Sequence, residues 1–260
     1  MSIDPRQIRE DILTIAQVSG HGHIPSCFSV IEILVAVYQT MRHDPENPHW
    51  PQRDIFILSK GHAALAHYCV LARLGYFPIE QVEAFGGFMS NFGCHADRLK
   101  VPGVEVSTGS LGHGIGVAVG EALAFKIQGS SRKVIVLIGD GEANEGTVWE
   151  ALMVAADRKL TNLTVILDHN VSQGRGLQIY NPVERLASFG CATIEVAGHS
   201  VEALEDALRK DVQGIKAIVA KTKKGFGCKT LVDQQHAWHR RSPTEEELCK
   251  LKKEICEEEI

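Results

Sequence analysis

Hydrophobic positions along the chain change period several times, and each change marks an element. After Asp4-Pro5, a capping carboxylate followed by a proline suited to a first helical turn, Ile8, Ile12, Ile15 and Ala16 fall at helical spacing and Gly20 ends the run. A second apolar helix is predicted over about 30–41. Residues 43–53 contain Pro45, Pro48 and Pro51 and are predicted to be irregular. Residues 55–58 read as a short buried strand, and the chain turns helical again after Gly61. Residues 86–110 show no strong period, and so long a loop in a compact domain is usually functional. A glycine-rich helix is predicted over 111–127, with Gly112, Gly114, Gly116 and Gly120 allowing close approach of another backbone or a ligand. The runs 134–138, 163–167, 193–196 and 217–220 are apolar without alternation and are separated by helical patterns. Strands of that kind belong to a parallel sheet covered on both faces, so the predicted fold class is α/β. A charged helix is expected over about 243–258, within a single domain spanning 1–260.

The strand pattern gives meaning to one segment. The run 134–138 leads directly into Gly139-Asp140-Gly141-Glu142, an acid between two glycines at the carboxyl end of a buried strand. Ligands of open α/β sheets bind at that edge. The glycines let the backbone approach a phosphate, and the next helix is expected to aim its N-terminus there. The following strand ends in Asp168-His169-Asn170, so Asp140 and Asn170 supply oxygen ligands from neighbouring strand ends. A hard cation such as Mg2+ takes few protein oxygens and shares the rest of its shell with phosphates and water.

Composition narrows the class further. A net charge of -5 in 260 residues, with basic side chains scattered apart from Lys221-Thr222-Lys223-Lys224, a short cluster expected to be a solvated loop, argues against a nucleic-acid surface. No apolar run reaches the ~18 residues of a membrane helix, and the N-terminus has no secretory-signal pattern. Seven dispersed cysteines without a CxxC pair read as reduced thiols, so a cytoplasmic location is expected. Cys69 and Cys191 are expected in or near the core.

Gly139-Asp140-Gly141 followed by Asn170 resembles the thiamine diphosphate motif, and further segments resemble transketolase in order along nearly the whole chain. These are residues 19–24, with His21 and His23; Arg53-Asp54 leading to Ser59-Lys60-Gly61-His62; and residues 102–112, with Ser107-Thr108-Gly109-Ser110-Leu111-Gly112. In particular the chain is similar to the N-terminal, diphosphate-binding subunit of a split transketolase. The resemblance implies thiamine diphosphate with Mg2+ (or Ca2+ or Mn2+) as cofactors. It implies Asp140, Asn170 and the main-chain carbonyl of Ser172 as metal ligands, and Gly139, Gly141 and Glu142 at the diphosphate. His62 and His239 match histidines reaching the diphosphate and substrate pocket, while His23 and His95 match others lining the substrate channel. Gly109 and Leu111 fall at the aminopyrimidine, and Glu145 matches an acid that couples two active sites across a dimer.

The implied activity moves a two-carbon ketol unit from a ketose or its phosphate to an aldose. Histidines suit the task of holding and deprotonating sugar hydroxyls near neutral pH. In this family a glutamate on a pyrimidine-binding domain activates the cofactor. The resemblance therefore implies a separate pyrimidine-binding partner chain, in an α2β2 assembly, without which the chain is inactive. Four segments depart from the usual pattern: Pro25-Ser26-Cys27, His113, His95-Ala96-Asp97-Arg98 and Arg240-Arg241. They put ordinary pentose phosphates in doubt, and Arg98, Arg240 or Arg241 could take an anionic substrate group. Three other readings stay open: the α subunit of a 2-oxoacid dehydrogenase, a dinucleotide-binding oxidoreductase with Gly112-His113-Gly114-Ile115-Gly116 after Val104-Glu105-Val106, and a non-catalytic regulatory subunit.

Overall fold

The computed structural model describes residues 3–173 and 176–257. The elements run α1 (Pro5–Ser19), α2 (Ile24–Phe28), α3 (Ile31–Thr40), β1 (Ile55–Leu58), α4 (Ala64–Leu74), α5 (Gly114–Ile127), β2 (Val134–Gly139), α6 (Gly146–Asp157), β3 (Leu163–His169), α7 (Pro182–Ser188), β4 (Cys191–Ala197), α8 (Val201–Arg209), β5 (Ile215–Lys221), α9 (Lys229–Asp233) and α10 (Glu245–Glu257). The five strands form one sheet in the order β1-β2-β3-β5-β4, and every pairing is parallel.

Both faces of β1, β2, β3 and β5 are buried, which is why those strands lack alternation, whereas β4 at the sheet edge is only partly buried and carries the exposed Glu195. Phe56, Leu58, Ile135, Leu137, Ile166 and Ile218 join one core with α1, α3, α4 and α8. Their chain neighbours Ile55, Ile57, Val134, Val136, Val165 and Val219 join a second core with α5 and α6. Each fully buried aliphatic side chain contributes about 1.5–3 kcal/mol, so both parities of each central strand hold the sheet. Asp4 caps α1 by accepting from Arg6 N at 2.9 Å, and Gly20 ends that helix at φ 73°. Thr244 and Glu247 form a reciprocal capping box before α10, with Thr244 N to Glu247 Oε2 at 3.0 Å and Glu247 N to Thr244 Oγ1 at 3.3 Å. The expected end of that helix at 258 lies outside the described residues.

Three expectations need correction. The helix expected over 111–127 starts at Gly114, because residues 111–113 form a turn. Of its glycines, Gly114 packs against Ser59, where an added Cβ would come within 2.5 Å of Oγ, and Gly112 packs against Thr147 and Glu145. Gly116 and Gly120 instead face open space. Second, a separate short helix, α2, precedes the one expected over 30–41, with Pro25 in its first turn. Third, α6 does not follow Gly141 directly: a 3-10 turn over Glu142–Asn144 intervenes, and the helix begins only at Gly146. Residues 104–106 lie outside the strands, which removes the dinucleotide-binding reading of the glycines after them.

All seven cysteines are free, with Cys69 and Cys191 buried. Among the described residues no helix is long and apolar enough to cross a membrane. His67 is a core residue, with its Nε2 2.7 Å from Tyr38 Oη and its ring edge-on to Phe56 at 5.2 Å. Burial pushes its pKa down to about 3. A histidine whose folded value is depressed gives stability that is present above its unfolded value of ~6.5 and lost as pH falls toward the folded value. Between those limits the unfolded chain binds one more proton at this position, so unfolding free energy falls by up to about 1.4 kcal/mol per pH unit. His67→Gln keeps a partner for Tyr38 and is expected to lower the slope of stability against pH by one proton over this range. Urea unfolding at stepped pH measures that slope, and an unchanged slope would show that His67 is not held neutral.

Candidate functional site

The carboxyl ends of β1, β2 and β3 open into a cavity of about 300 Å³. Gly139 pairs with Asp168 across β2 and β3, which sets Asp140 and Asn170 side by side at the sheet edge. The cavity wall includes Gly139, Asp140, Gly141 and Glu142 from one strand end, and Asn170 and Ser172 from the next. His23, His62, His95 and His239 converge on it from four separate segments, and Gly109 and Leu111 from the long loop complete the expected set. Glu145 alone among the expected residues is absent from the wall; it is exposed, and its side chain covers Gly112. Nor does the N-terminus of α6 reach the cavity, since the 3-10 turn brings the Glu142 carboxylate there instead.

Asp140 is 6 % exposed, and its Oδ2 has no hydrogen-bond partner among the described residues. Its Oδ1 accepts from Gly141 N at 2.7 Å. Burial first, and the nearby Asp168 second, push its pKa up. Asn170 donates its Nδ2 to Asp168 Oδ2 at 2.8 Å, which leaves its Oδ1 as the outward atom, accepting from Ser172 N at 3.1 Å. A buried carboxylate oxygen without a donor, beside an amide oxygen, is a set that suits a hard cation. The orphaned Asp140 Oδ2 thus fits the expected divalent ion.

Two lysines give the cavity its charge, and one of them, Lys224, corrects the expectation that the 221–224 cluster is simply a solvated loop. Lys60 is 1 % exposed and donates to Asp168 Oδ2. Asp168 is fully buried and also accepts from Thr222 Oγ1, Ser29 Oγ and Asn170 Nδ2. Burial alone would raise its pKa, yet the Lys60 ammonium and these donors hold it below the ordinary carboxylate value. Lys224 enters the cavity from the loop after β5 and has no ion-pair partner among the described residues. Ser26 and Gln173 also line the cavity, and Ser26 Oγ is a second buried atom without a hydrogen-bond partner. Lys60 stood inside the Ser59-Lys60-Gly61-His62 segment, but its pairing with a residue 108 positions away had no sequence signal.

The histidines sit close together. His23 and His239 have ring centroids 4.9 Å apart, and His23 and His62 are 5.8 Å apart. His23 N donates to His239 O at 2.9 Å, and an added Cβ on Gly22 would lie 2.5 Å from the Arg240 carbonyl carbon. Gly22 therefore has to be a glycine for these two strips to meet. His62 is pushed down to about 2 by burial and then by Lys60, and His23 down to about 4 by burial and then by His239. Both are neutral at neutral pH and offer a lone pair as well as an N–H. Backbone strain gathers here too: His23 has φ 67° and Val171, between Asn170 and Ser172, has φ 56°.

Glu142 acts as a clamp beneath this arrangement. Its Oε1 accepts from Ser59 Oγ and from Gly112 N at 2.9 Å, and its Oε2 from Gly139 N at 3.1 Å, so one carboxylate ties three segments of the wall. Of the three arginines considered for an anionic group, Arg241 is committed to Glu247 at 2.7 Å and lies over the Trp238 ring at 3.7 Å. Arg98 faces a separate groove beside Pro48 and Leu99. Arg240 is exposed and close enough to His23 and His239 to lower both.

Residues 6–258 match the family model described as transketolase, thiamine diphosphate binding domain. The chain is 37% identical over 252 residues to one of the subunits of an apulose-4-phosphate transketolase from Actinobacillus succinogenes, covering 94% of this chain and 91% of that one. It is also 37% identical over 245 residues to a 6-deoxy-6-sulfo-D-fructose transketolase subunit of Clostridium sp., covering 90% and 89%. The crystal structure of transketolase from Campylobacter jejuni superposes with a TM-score of 0.87 at 30% identity, over 98% of this chain but only 43% of that one. The chain thus spans less than half of the full-length enzyme while nearly matching the length of separate transketolase subunits. The parallel sheet, the convergence of four histidines on the Asp140–Asn170 edge and the match over residues 6–258 give one conclusion: the chain belongs to the transketolase family and carries its thiamine diphosphate binding domain.

Proposed function

We propose that residues 1–260 act as one unit, the diphosphate-binding subunit of a two-chain transketolase that transfers a two-carbon ketol unit from a ketose or ketose phosphate to an aldose. The observation that carries this reading is the orphaned Asp140 Oδ2 at the focus of the histidine-lined cavity. Asp140, the Asn170 amide oxygen and the Ser172 carbonyl would hold Mg2+, or Ca2+ or Mn2+ in its place. Lys60, Lys224, His62, His239 and the Gly139–Gly141 backbone would hold the diphosphate. Gly109 and Leu111 would support the aminopyrimidine. Bound thiamine diphosphate supplies a thiazolium able to delocalise the carbanion left by carbon–carbon cleavage.

The chain's own residues have the complementary task. His23, His62 and His95 would hold substrate hydroxyls. The neutral state of His23 and His62 lets each accept a hydroxyl proton as well as donate one. Lys224 contributes to both low values and Lys60 to that of His62, and an anion beside those ammoniums would offset that charge and make the rings better bases. The two subunit relatives are named for phosphate- and sulfonate-bearing sugars, and Arg240 at the His23–His239 side of the cavity is suited to such an anionic group.

A pyrimidine-binding partner chain, in an α2β2 assembly, would supply the missing half. The relatives named as subunits support this, and so does α5, which is apolar on its outward side as well: Val117 is 42% exposed there, and Met153 and Val154 lie exposed on neighbouring α6. Glu145, near that surface, would couple the two sites. The expected result is no ketol transfer by the purified chain with thiamine diphosphate and Mg2+, and activity on adding the partner, with gel filtration giving two copies of each. Robust transfer by the isolated chain would sink the proposal.

A further inference from the structure

Away from the cavity, a buried charged group has no part in the site as described. Arg9 and Glu32 are 0 % and 1 % exposed and bridge each other between α1 and α3. Glu32 Oε2 accepts from His199 Nδ1 at 2.9 Å, which leaves His199 Nε2 with its lone pair. That lone pair accepts from Lys223 N at 2.7 Å. The His199 ring stacks on Phe226 with centroids 3.7 Å apart and 11° between planes, and Arg9 Nε donates to Phe226 O at 3.0 Å. Gly227 presses on Arg9, where an added Cβ would meet Nε at 2.3 Å. The last four of these contacts end on the short loop after β5, at Lys223, Phe226 and Gly227 on either side of Lys224. Gly225 N, the next residue along, donates to Pro25 O at 3.0 Å.

A buried ion pair is a costly way to hold two helices together, since apolar residues of the same volume usually do so as well or better. What apolar residues cannot supply is a donor and an acceptor aimed at a loop. We propose that Arg9, Glu32 and His199 form a clamp that fixes the backbone around Lys224 and so aims its ammonium into the cavity. They are positioning residues for the anion held there. Lysine has a long, flexible stem, and an anchored backbone removes part of the ordering cost that an anion would otherwise have to meet. This inference rests on the reading that Lys224 faces the cofactor's diphosphate.

The test is a double-mutant cycle on the full chain, titrated calorimetrically with magnesium thiamine diphosphate and with magnesium pyrophosphate, with and without the partner chain. His199→Phe keeps the stack on Phe226 but loses both hydrogen bonds, and is expected to weaken binding about tenfold, as loss of an outer orienting group does. His199→Gln offers one donor and one acceptor and is expected to restore most of the affinity. Phe226→Leu, a change in a half-buried loop residue, tests the same clamp if His199→Phe does not fold. In a Lys224→Met background none of these changes should weaken binding further. Undiminished weakening in that background, or clamp variants that bind like wild type, would overturn the inference. A Lys224→Met chain with unchanged affinity, or a wild-type chain that binds neither ligand with the partner present, would overturn the cofactor reading instead.

Discussion

Asp140→Asn is expected to lower affinity for magnesium thiamine diphosphate at least about 100-fold while making the metal-free chain more stable. The two effects have one source. Asp140 is buried, its Oδ2 has no partner among the described residues, and the Asp168 carboxylate lies nearby. An unsatisfied buried polar atom costs about 1–3 kcal/mol, and a charged one more. Burial and Asp168 raise its folded-state pKa, so the stabilising neutral form is favoured below the ordinary carboxylate value and is lost as pH rises through the folded value. Above that folded value the ionised group therefore opposes folding until a cation arrives. Asparagine removes the charge at nearly constant shape, and a gain of about 1 kcal/mol is expected in urea unfolding without metal. Calorimetric titration of the same variant measures the lost affinity. An Asp140→Asn chain that binds the magnesium cofactor like wild type would remove Asp140 from the metal site.

Asp168→Leu should have the largest effect on folding. Asp168 takes hydrogen bonds from Lys60, Ser29, Thr222 and Asn170, and both it and Lys60 are essentially inaccessible to water. Breaking a buried pair from one side strands the other charge, at about 3–5 kcal/mol. Native domains have only ~5–15 kcal/mol in total, so most of the margin would go. Adding Lys60→Met removes the stranded ammonium and is expected to restore folding, since apolar replacement of both partners is often neutral or better. Cofactor affinity should not return, because Asn170 then lacks the acceptor that turns its amide oxygen outward. Thermal unfolding and titration of the single and double variants separate the two effects. A single variant melting within a few degrees of wild type would show that the pair carries little.

The contrast between these residues shows how far linear order reaches. Asp140 and Asn170 could be read from the chain because each ends a strand, and a strand buried on both faces announces itself as an unbroken apolar run. The ordered histidine segments, by resemblance, added the family and four of the cavity's walls. Glu145 lies outside the wall, because its place depends on how a 3-10 turn delays α6. The same turn explains why the cavity receives a carboxylate clamp from Glu142 where a helix N-terminus was expected.

Local pattern by itself determined the α/β class, most strand positions and the edge at which Asp140 and Asn170 meet, because burial on two faces and turn chemistry act over a few neighbouring residues. Tertiary structure alone decided that Lys60 pairs with Asp168, that Lys224 enters the cavity, and that Arg9, Glu32 and His199 hold the loop carrying it. Those partners lie many residues apart and have no shared period. Only the packed fold excludes the water that would otherwise satisfy each charge, and so makes one particular neighbour obligatory.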